Sequence, residues 1–107
     1  MPDDVAVVRY APRAQRDLDE IWDCIEMDLG NPKAAADTVS SIMDRVALLA
    51  NFPLSGTPLS SICEVVTDYR FVVSGNYLAF YRYSNGTVYV DRIIYAKRDY
   101  LRVLFER

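Results

Sequence analysis

The chain has 107 residues, 51% of them hydrophobic and 25% charged, with a net charge of −3. That length suits one compact domain of soluble globular composition, and the apolar runs are too short and too often broken by charge to span a bilayer. There is no histidine, which excludes Ser-His-Asp and Cys-His nucleophile systems and His-containing zinc sites; no metal or organic cofactor is expected.

"MPDDVAVVRY" lacks the basic start and long apolar middle of a secretory signal, so a cytoplasmic chain beginning at or next to Met1 is expected. Inside it, "VAVVRY" (residues 5–10) predicts a short strand that ends before Pro12. Pro12 then suits the first turn of a helix, in which Ala14, Leu18, Ile21, Trp22, Ile25 and Leu29 recur at helical spacing until Gly30 stops it. Trp22 is expected in the core. Asn31 followed by Pro32 reads as a cap and first helical position, and Ala35, Val39, Ile42, Val46 and Leu49 carry a second helix up to "NFP". With so short a link the two helices form an antiparallel hairpin, each burying one stripe and turning most acids outward. Cys24 and Cys63, in a chain without a secretory signal, are expected to be free, buried thiols.

"PLSGTPLSS" (residues 53–61) is loop chemistry. Beyond it the hydrophobic period changes from helical to alternating. "ICEVV", "YRFVV", "YLAFYRY" and "TVYVDRII" are β-branched and aromatic runs, the last two joined by Asn85-Gly86, which favours the positive φ angles of a tight hairpin. The last three runs predict an antiparallel meander, and "DYLRVLFER" is either a short helix capped by Asp99 or an extended tail. The fold class is therefore α+β: an N-terminal strand and a helical hairpin packed on a three- to four-stranded antiparallel sheet. Alternating Tyr, Phe and Arg would make the other face of that sheet a sticky, cationic surface.

Charge is distributed unevenly. Residues 1–50 carry ten acids and five bases, whereas from Tyr69 onward seven bases (Arg70, Arg82, Arg92, Lys97, Arg98, Arg102 and Arg107) stand against three acids. An acidic half and a basic half predict one anion-friendly face. Arg70, Arg92, Lys97 and Arg98 are expected to gather at one end of the sheet. Arg82 and Arg92, with Tyr77 and Tyr81, are candidate partner-binding residues; as an alternative, the two arginines pair with Asp91 or Asp68 across strands.

"YAPRAQRDLDEIWDCI", "ALLANFPLSGTPL" and "DYRFVVSGNYLAFYRYSNGTVYVDRIIYAKRDY", taken in order over nearly the whole chain, resemble the RelE/ParE superfamily of bacterial toxins from type II toxin–antitoxin modules. The resemblance implies a small cytoplasmic toxin neutralised by an antitoxin whose acidic and apolar C-terminal segment wraps it in a hetero-oligomer. RelE-like members cut messenger RNA on the ribosome, and ParE-like members inhibit DNA gyrase.

Carried over residue by residue, Arg70 matches a basic position of the RelE branch and Arg98 the arginine that steadies the scissile phosphate. Leu78 stands where that branch has a second catalytic arginine, Leu104 where it has a catalytic tyrosine, and Tyr95 where many relatives have histidine. Cleavage of RNA needs a base, an acid and cations for the phosphate. Only the cations are plainly supplied, with Tyr95, Lys97 and Tyr100 as the remaining catalytic candidates. The helical hairpin resembles the ParE branch. Gyrase and ribosome-bound messenger RNA both stand as targets, beside a third reading in which the chain is an inactive relic that only binds its antitoxin.

Overall fold

A computed structural model describes residues 5–105; Glu106 and Arg107, which belong to the basic C-terminal stretch, lie outside the described residues, as do residues 1–4. Strand β1 (Val7–Tyr10) leads into helix α1 (Pro12–Leu29), whose first turn begins at Pro12 after an extended Ala11. Gly30 ends α1 with φ +57°, a left-handed conformation that glycine adopts without the Cβ penalty. Helix α2 (Pro32–Ala47) starts at once, because the Asn31 side chain accepts a hydrogen bond from the Ala34 amide at 3.1 Å. The hairpin expected from the periodicity is present, and a 3₁₀ turn over Leu48–Ala50 closes it.

Four further strands follow: β2 (Thr57–Pro58), β3 (Arg70–Ser74), β4 (Tyr77–Ser84) and β5 (Thr87–Tyr95), with a short helix α3 (Tyr100–Phe105) at the end. The sheet order is β1-β5-β4-β3-β2. Asn85 and Gly86 take φ +51° and +76°, the left-handed pair that a two-residue hairpin needs, so β3, β4 and β5 form the expected meander.

Three features differ from the sequence reading. The sheet has five strands, because β1 lies parallel to β5, with Val7 opposite Thr87 and Tyr10 opposite Val90. The loop-like Thr57-Pro58 pairs with Phe71 and Arg70 as an edge, where proline's missing N–H costs no ladder bond. "ICEVV" is not a strand: the Leu59 amide donates to the Tyr69 carbonyl at 2.9 Å, which pinches the chain at its base and pushes the intervening residues outward.

The sheet has an apolar layer on each side. On the helix side, Ala14 and Leu18 of α1 and Ile42 and Val46 of α2 pack on Val72, Ala79, Tyr81, Val88, Val90 and Ile93. Trp22, expected in the core, is half-buried, its indole N–H donating to Glu26 Oε2 at 3.3 Å. On the outer side, Leu78, Phe80 and Ile94 lie beneath Tyr100, Leu101, Val103 and Leu104 of α3 and against Leu59. The C-terminal segment is therefore helical over Tyr100–Phe105 and covers part of the face that the sequence reading left to a partner. No described helix is long and apolar enough to cross a membrane.

Candidate target-binding groove

The end of β5 turns back on itself. The Arg98 amide donates to the Tyr95 carbonyl at 3.0 Å, and the Ala96 amide to the Asn76 carbonyl at 2.7 Å. This turn brings Arg98 against α1. Between them runs a groove of about 480 Å³, lined by Glu20 and Cys24 of α1, by Asn76 and Tyr77 from the start of β4, and by Tyr95 and Arg98. The Tyr77 and Tyr95 rings lie 5.6 Å apart and tilted, as their opposed positions in β4 and β5 dictate. Burial pushes the Tyr77 phenol above its usual pKa.

Asp17 stiffens the base of the groove. Only 4% exposed, its carboxylate accepts from Arg92 Nε at 2.8 Å, Arg92 Nη2 at 3.1 Å and the Ile93 amide at 2.9 Å, while Arg13 lies 3.5 Å away. The geometry of β5 creates the need for this acceptor. The β1 pairing ends at Val90, and Asp91 is the extra residue of a bulge, since Phe80 pairs with Arg92 and Tyr81 with Val90. The Ile93 amide, beyond the end of β1, takes a carboxylate as its acceptor.

The expected site residues separate into several groups. Tyr95, Tyr77 and Arg98 meet in the groove. Lys97 is exposed on the turn beside it, and among the described residues neither Lys97 nor Arg98 has an ion-pair partner. Tyr100 is on the other side of the sheet, its ring 5.6 Å from that of Phe80.

The cations do not gather at one end. Arg70 pairs with Tyr81, four residues along β4 from the Tyr77–Tyr95 pair, a separation of roughly 13 Å. Its guanidinium donates to the Leu54 and Gly56 carbonyls at 3.1 and 2.9 Å, tying down the loop that was read from Gly and Pro. Arg92 is held by Asp17 rather than by Asp91 or Asp68. Arg82 does pair with Asp91, at 3.0 Å, and stacks over Tyr69.

Tyr81, expected on a partner-facing surface, is fully buried. Its hydroxyl donates to the Pro53 carbonyl at 2.8 Å and accepts from the Gly56 amide at 3.0 Å, a structural pairing with no surface left for a partner. Cys24 corrects the expectation in the other sense: it is exposed, and its thiol donates to Asp28 Oδ2 at 3.2 Å. That hydrogen bond, with the charge of Asp28, raises its pKa and keeps it protonated. Cys63 is half-buried and also free.

Asp17, Glu20 and Asn76 were not singled out from the sequence, and Cys24 was read only as a buried thiol. One signal was available for Asp17, an acid set among Ala14, Leu18 and Ile21 on the buried stripe of α1. Chemically, the groove offers one arginine, two phenols, a thiol, the exposed Glu20 carboxylate and, at its base, the Asp17 carboxylate held by Arg92. Among the described residues no three metal-ligating side chains are arranged to hold a metal ion. The arrangement suits recognition of an anionic or aromatic group better than proton transfer, because the shifted groups Tyr77 and Cys24 move away from neutrality.

Comparison with known proteins gives this architecture a family. The chain is similar to a chain of the chromosomal ParDE toxin–antitoxin system from P. aeruginosa, with 21% identity over 88% of this chain and 99% of that one and a TM-score of 0.74. It is also similar to a chain of the toxin–antitoxin complex RelBE2 from Mycobacterium tuberculosis, with 23% identity over 85% of this chain and 98% of that one and a TM-score of 0.58. At these identities the two structures show a shared fold. No curated protein sequence matches. Residues 8–100, from β1 to the first residue of α3, match the family model described as ParE toxin of type II toxin-antitoxin system, parDE, and the chain belongs to that toxin family.

Proposed function

We propose that this toxin arrests growth by acting on DNA gyrase and is held inactive in the cytoplasm by a cognate antitoxin with an acidic and apolar C-terminal segment. The observation that carries the gyrase reading is the position of Leu78 and Leu104. Both stand where RelE-like ribonucleases have catalytic side chains, and both pack in the apolar cluster between the sheet and α3. Neither has a hydroxyl or guanidinium to offer a phosphate. Of the two matches to that branch, Arg98 lines the groove and Arg70 donates to backbone carbonyls instead. What remains in the groove is an arginine that lines it together with two aromatic rings, without a matched acid and base. An acidic antitoxin segment complements the same arginine through charge-assisted hydrogen bonds.

The test is to express the chain without its antitoxin and compare a supercoiling assay on purified gyrase with primer extension on a translated message. Blocked supercoiling with intact messages is the expected result. Codon-linked cuts that vanish in Arg98→Ala would overturn the gyrase reading, since loss of one phosphate-clamping donor costs about 10²-fold in rate. Unharmed growth with neither effect would leave only an antitoxin-binding relic. Co-purification with the product of the adjacent gene tests the antitoxin separately, and a chain that ignores that product in calorimetry refutes it.

A further inference from the structure

On the outer face of the sheet, away from the groove, three strands each contribute one residue to a row. Arg9 of β1 lies opposite Tyr89 of β5, and Tyr89 lies opposite Arg82 of β4. Residues opposed on neighbouring strands share a face about 5 Å apart. Alternation decides which face it is. Val8, Tyr10, Val88 and Val90 pack into the helix-side core, so Arg9 and Tyr89 project the other way. Tyr89 is 43% exposed, the Arg82 side chain 48%, and Arg9 is exposed as well.

The fold does not account for this row. Among the described residues, Arg9 and Tyr89 have no ion pair, side-chain hydrogen bond or ring partner. Arg82 is braced instead. Its Nε and Nη2 meet Asp91 Oδ2 at 3.1 and 3.0 Å, and its guanidinium carbon lies 5.4 Å from the centre of the Tyr69 ring. That contact uses one edge of the fork and leaves further N–H groups for a ligand. The next row towards the Asn85-Gly86 turn, Val7, Thr87 and Ser84, has no charge. In the opposite direction α3 covers Leu78, Phe80 and Ile94. The open strip is therefore narrow, with one aromatic ring between two cations.

We propose that this strip is a binding surface for single-stranded nucleic acid, with a base stacked on Tyr89 and the flanking phosphates on Arg9 and Arg82. The chemistry selects this ligand over an acidic peptide. Two arginines alone suit any anion, but an unpartnered ring centred between them adds affinity only for a ligand that alternates a flat apolar face with negative charge. A single strand is required because the base must be free to leave its neighbours. Charge favours approach from this side, since Asp19, Glu20, Asp23 and Asp28 are exposed on α1 in the opposite layer. The strip is separate from the groove: Tyr89 and Tyr95 are six residues apart on β5, roughly 20 Å. The inference stands whether or not gyrase is the target.

Fluorescence anisotropy of a labelled oligothymidylate, and of oligouridylate in parallel, titrated with the full chain at two salt concentrations, tests the proposal. Saturable binding that weakens with salt is expected. Tyr89→Ala weakens it about tenfold, Tyr89→Phe retains it, and Arg9→Gln lowers the salt slope by about 0.7. Lys33→Gln, which alters an exposed cation on α2 outside both the groove and the strip, leaves it unchanged. Circular dichroism confirms that each variant is folded, and at exposed positions all should be. No saturable binding by the unaltered chain would overturn the proposal, as would Tyr89→Ala and Arg9→Gln chains that bind like the parent. Competition by polyglutamate as strong as by unlabelled oligonucleotide would show a surface for acidic peptides instead. Equal affinity for duplex DNA would remove the stacked base.

Discussion

Asp17 and Arg92, 75 residues apart, form a two-point ion pair at 2.8 and 3.1 Å that fastens α1 to the bulged part of β5. The carboxylate is 4% exposed and Arg92 side chain 16%, so neither has water to fall back on if the other is removed. Asp17→Asn should cost about 3 kcal/mol, because it leaves a guanidinium largely buried without its counter-charge. For a chain of this size that is a fall in melting temperature of more than about 10 °C, read by thermal circular dichroism. A change below about 1 kcal/mol would mean that the Ile93 amide and Arg92 find other acceptors.

The Tyr81 hydroxyl is predicted to be as important as its ring. Tyr81→Phe keeps the buried aromatic but leaves the Gly56 amide and Pro53 carbonyl unpaired, and should cost about 1–3 kcal/mol in urea denaturation. Gly56→Ala attacks the same contact from the other side, since an added Cβ would lie 2.5 Å from the Tyr81 oxygen. Its cost should be of similar size, from overpacking. The double variant Gly56→Ala, Tyr81→Phe should lose somewhat less than the sum, because the nearest atom that meets the Cβ is gone while the ring carbons at 2.6 and 2.9 Å remain.

Tyr69 titrates late. Burial, and then its hydrogen bond to Asp91 at 2.8 Å, push its pKa up to about 12. The folded state thus holds the phenolic proton more tightly than the unfolded chain, whose tyrosines titrate near 10. The stability this contributes is fully present below about pH 10 and is lost as pH rises through about 12. Urea midpoints should fall across that window, and the fall should be shallower in Tyr69→Phe. A tyrosinate absorbance titration should show one phenol fewer in the late-titrating class for that variant.

Arg98 and Arg70 look alike in the sequence and should behave differently. Arg98→Gln should leave the melting temperature within about 2 °C of the parent, as exposed substitutions do, and reduce growth inhibition at least tenfold. Arg70→Gln should cost about 1 kcal/mol, because it releases the Leu54 and Gly56 carbonyls, and any loss of toxicity should follow the loss of folded protein. Toxicity in a plate-dilution assay, beside a melting curve for each variant, separates the two. An unstable Arg98→Gln chain would show that this arginine is structural.

Local chemistry in the sequence determined the two helices, their two-residue link at Gly30 and Asn31, the Asn85-Gly86 hairpin and the α+β class, because each depends on residues within one or two turns of one another. The ordered motifs also led to the toxin family that the family model then matched. The groove was legible in part: Tyr77, Tyr95 and Arg98 were named, but not Asp17, Glu20 or Asn76, and Cys24 was read as a buried thiol rather than as part of the groove. Which cation is free was beyond local reading. Arg70, Arg92 and Arg98 all follow or interrupt apolar runs, yet the first holds a loop 14 to 16 residues away and the second a carboxylate 75 residues away. The parallel pairing of β1 with β5 and the cover that α3 lays over Phe80 are likewise contacts between distant segments. Periodicity records that a side chain has a buried side; only the packed chain decides what lies against it, because burial rewards any apolar or charge-paired neighbour that the topology brings within reach.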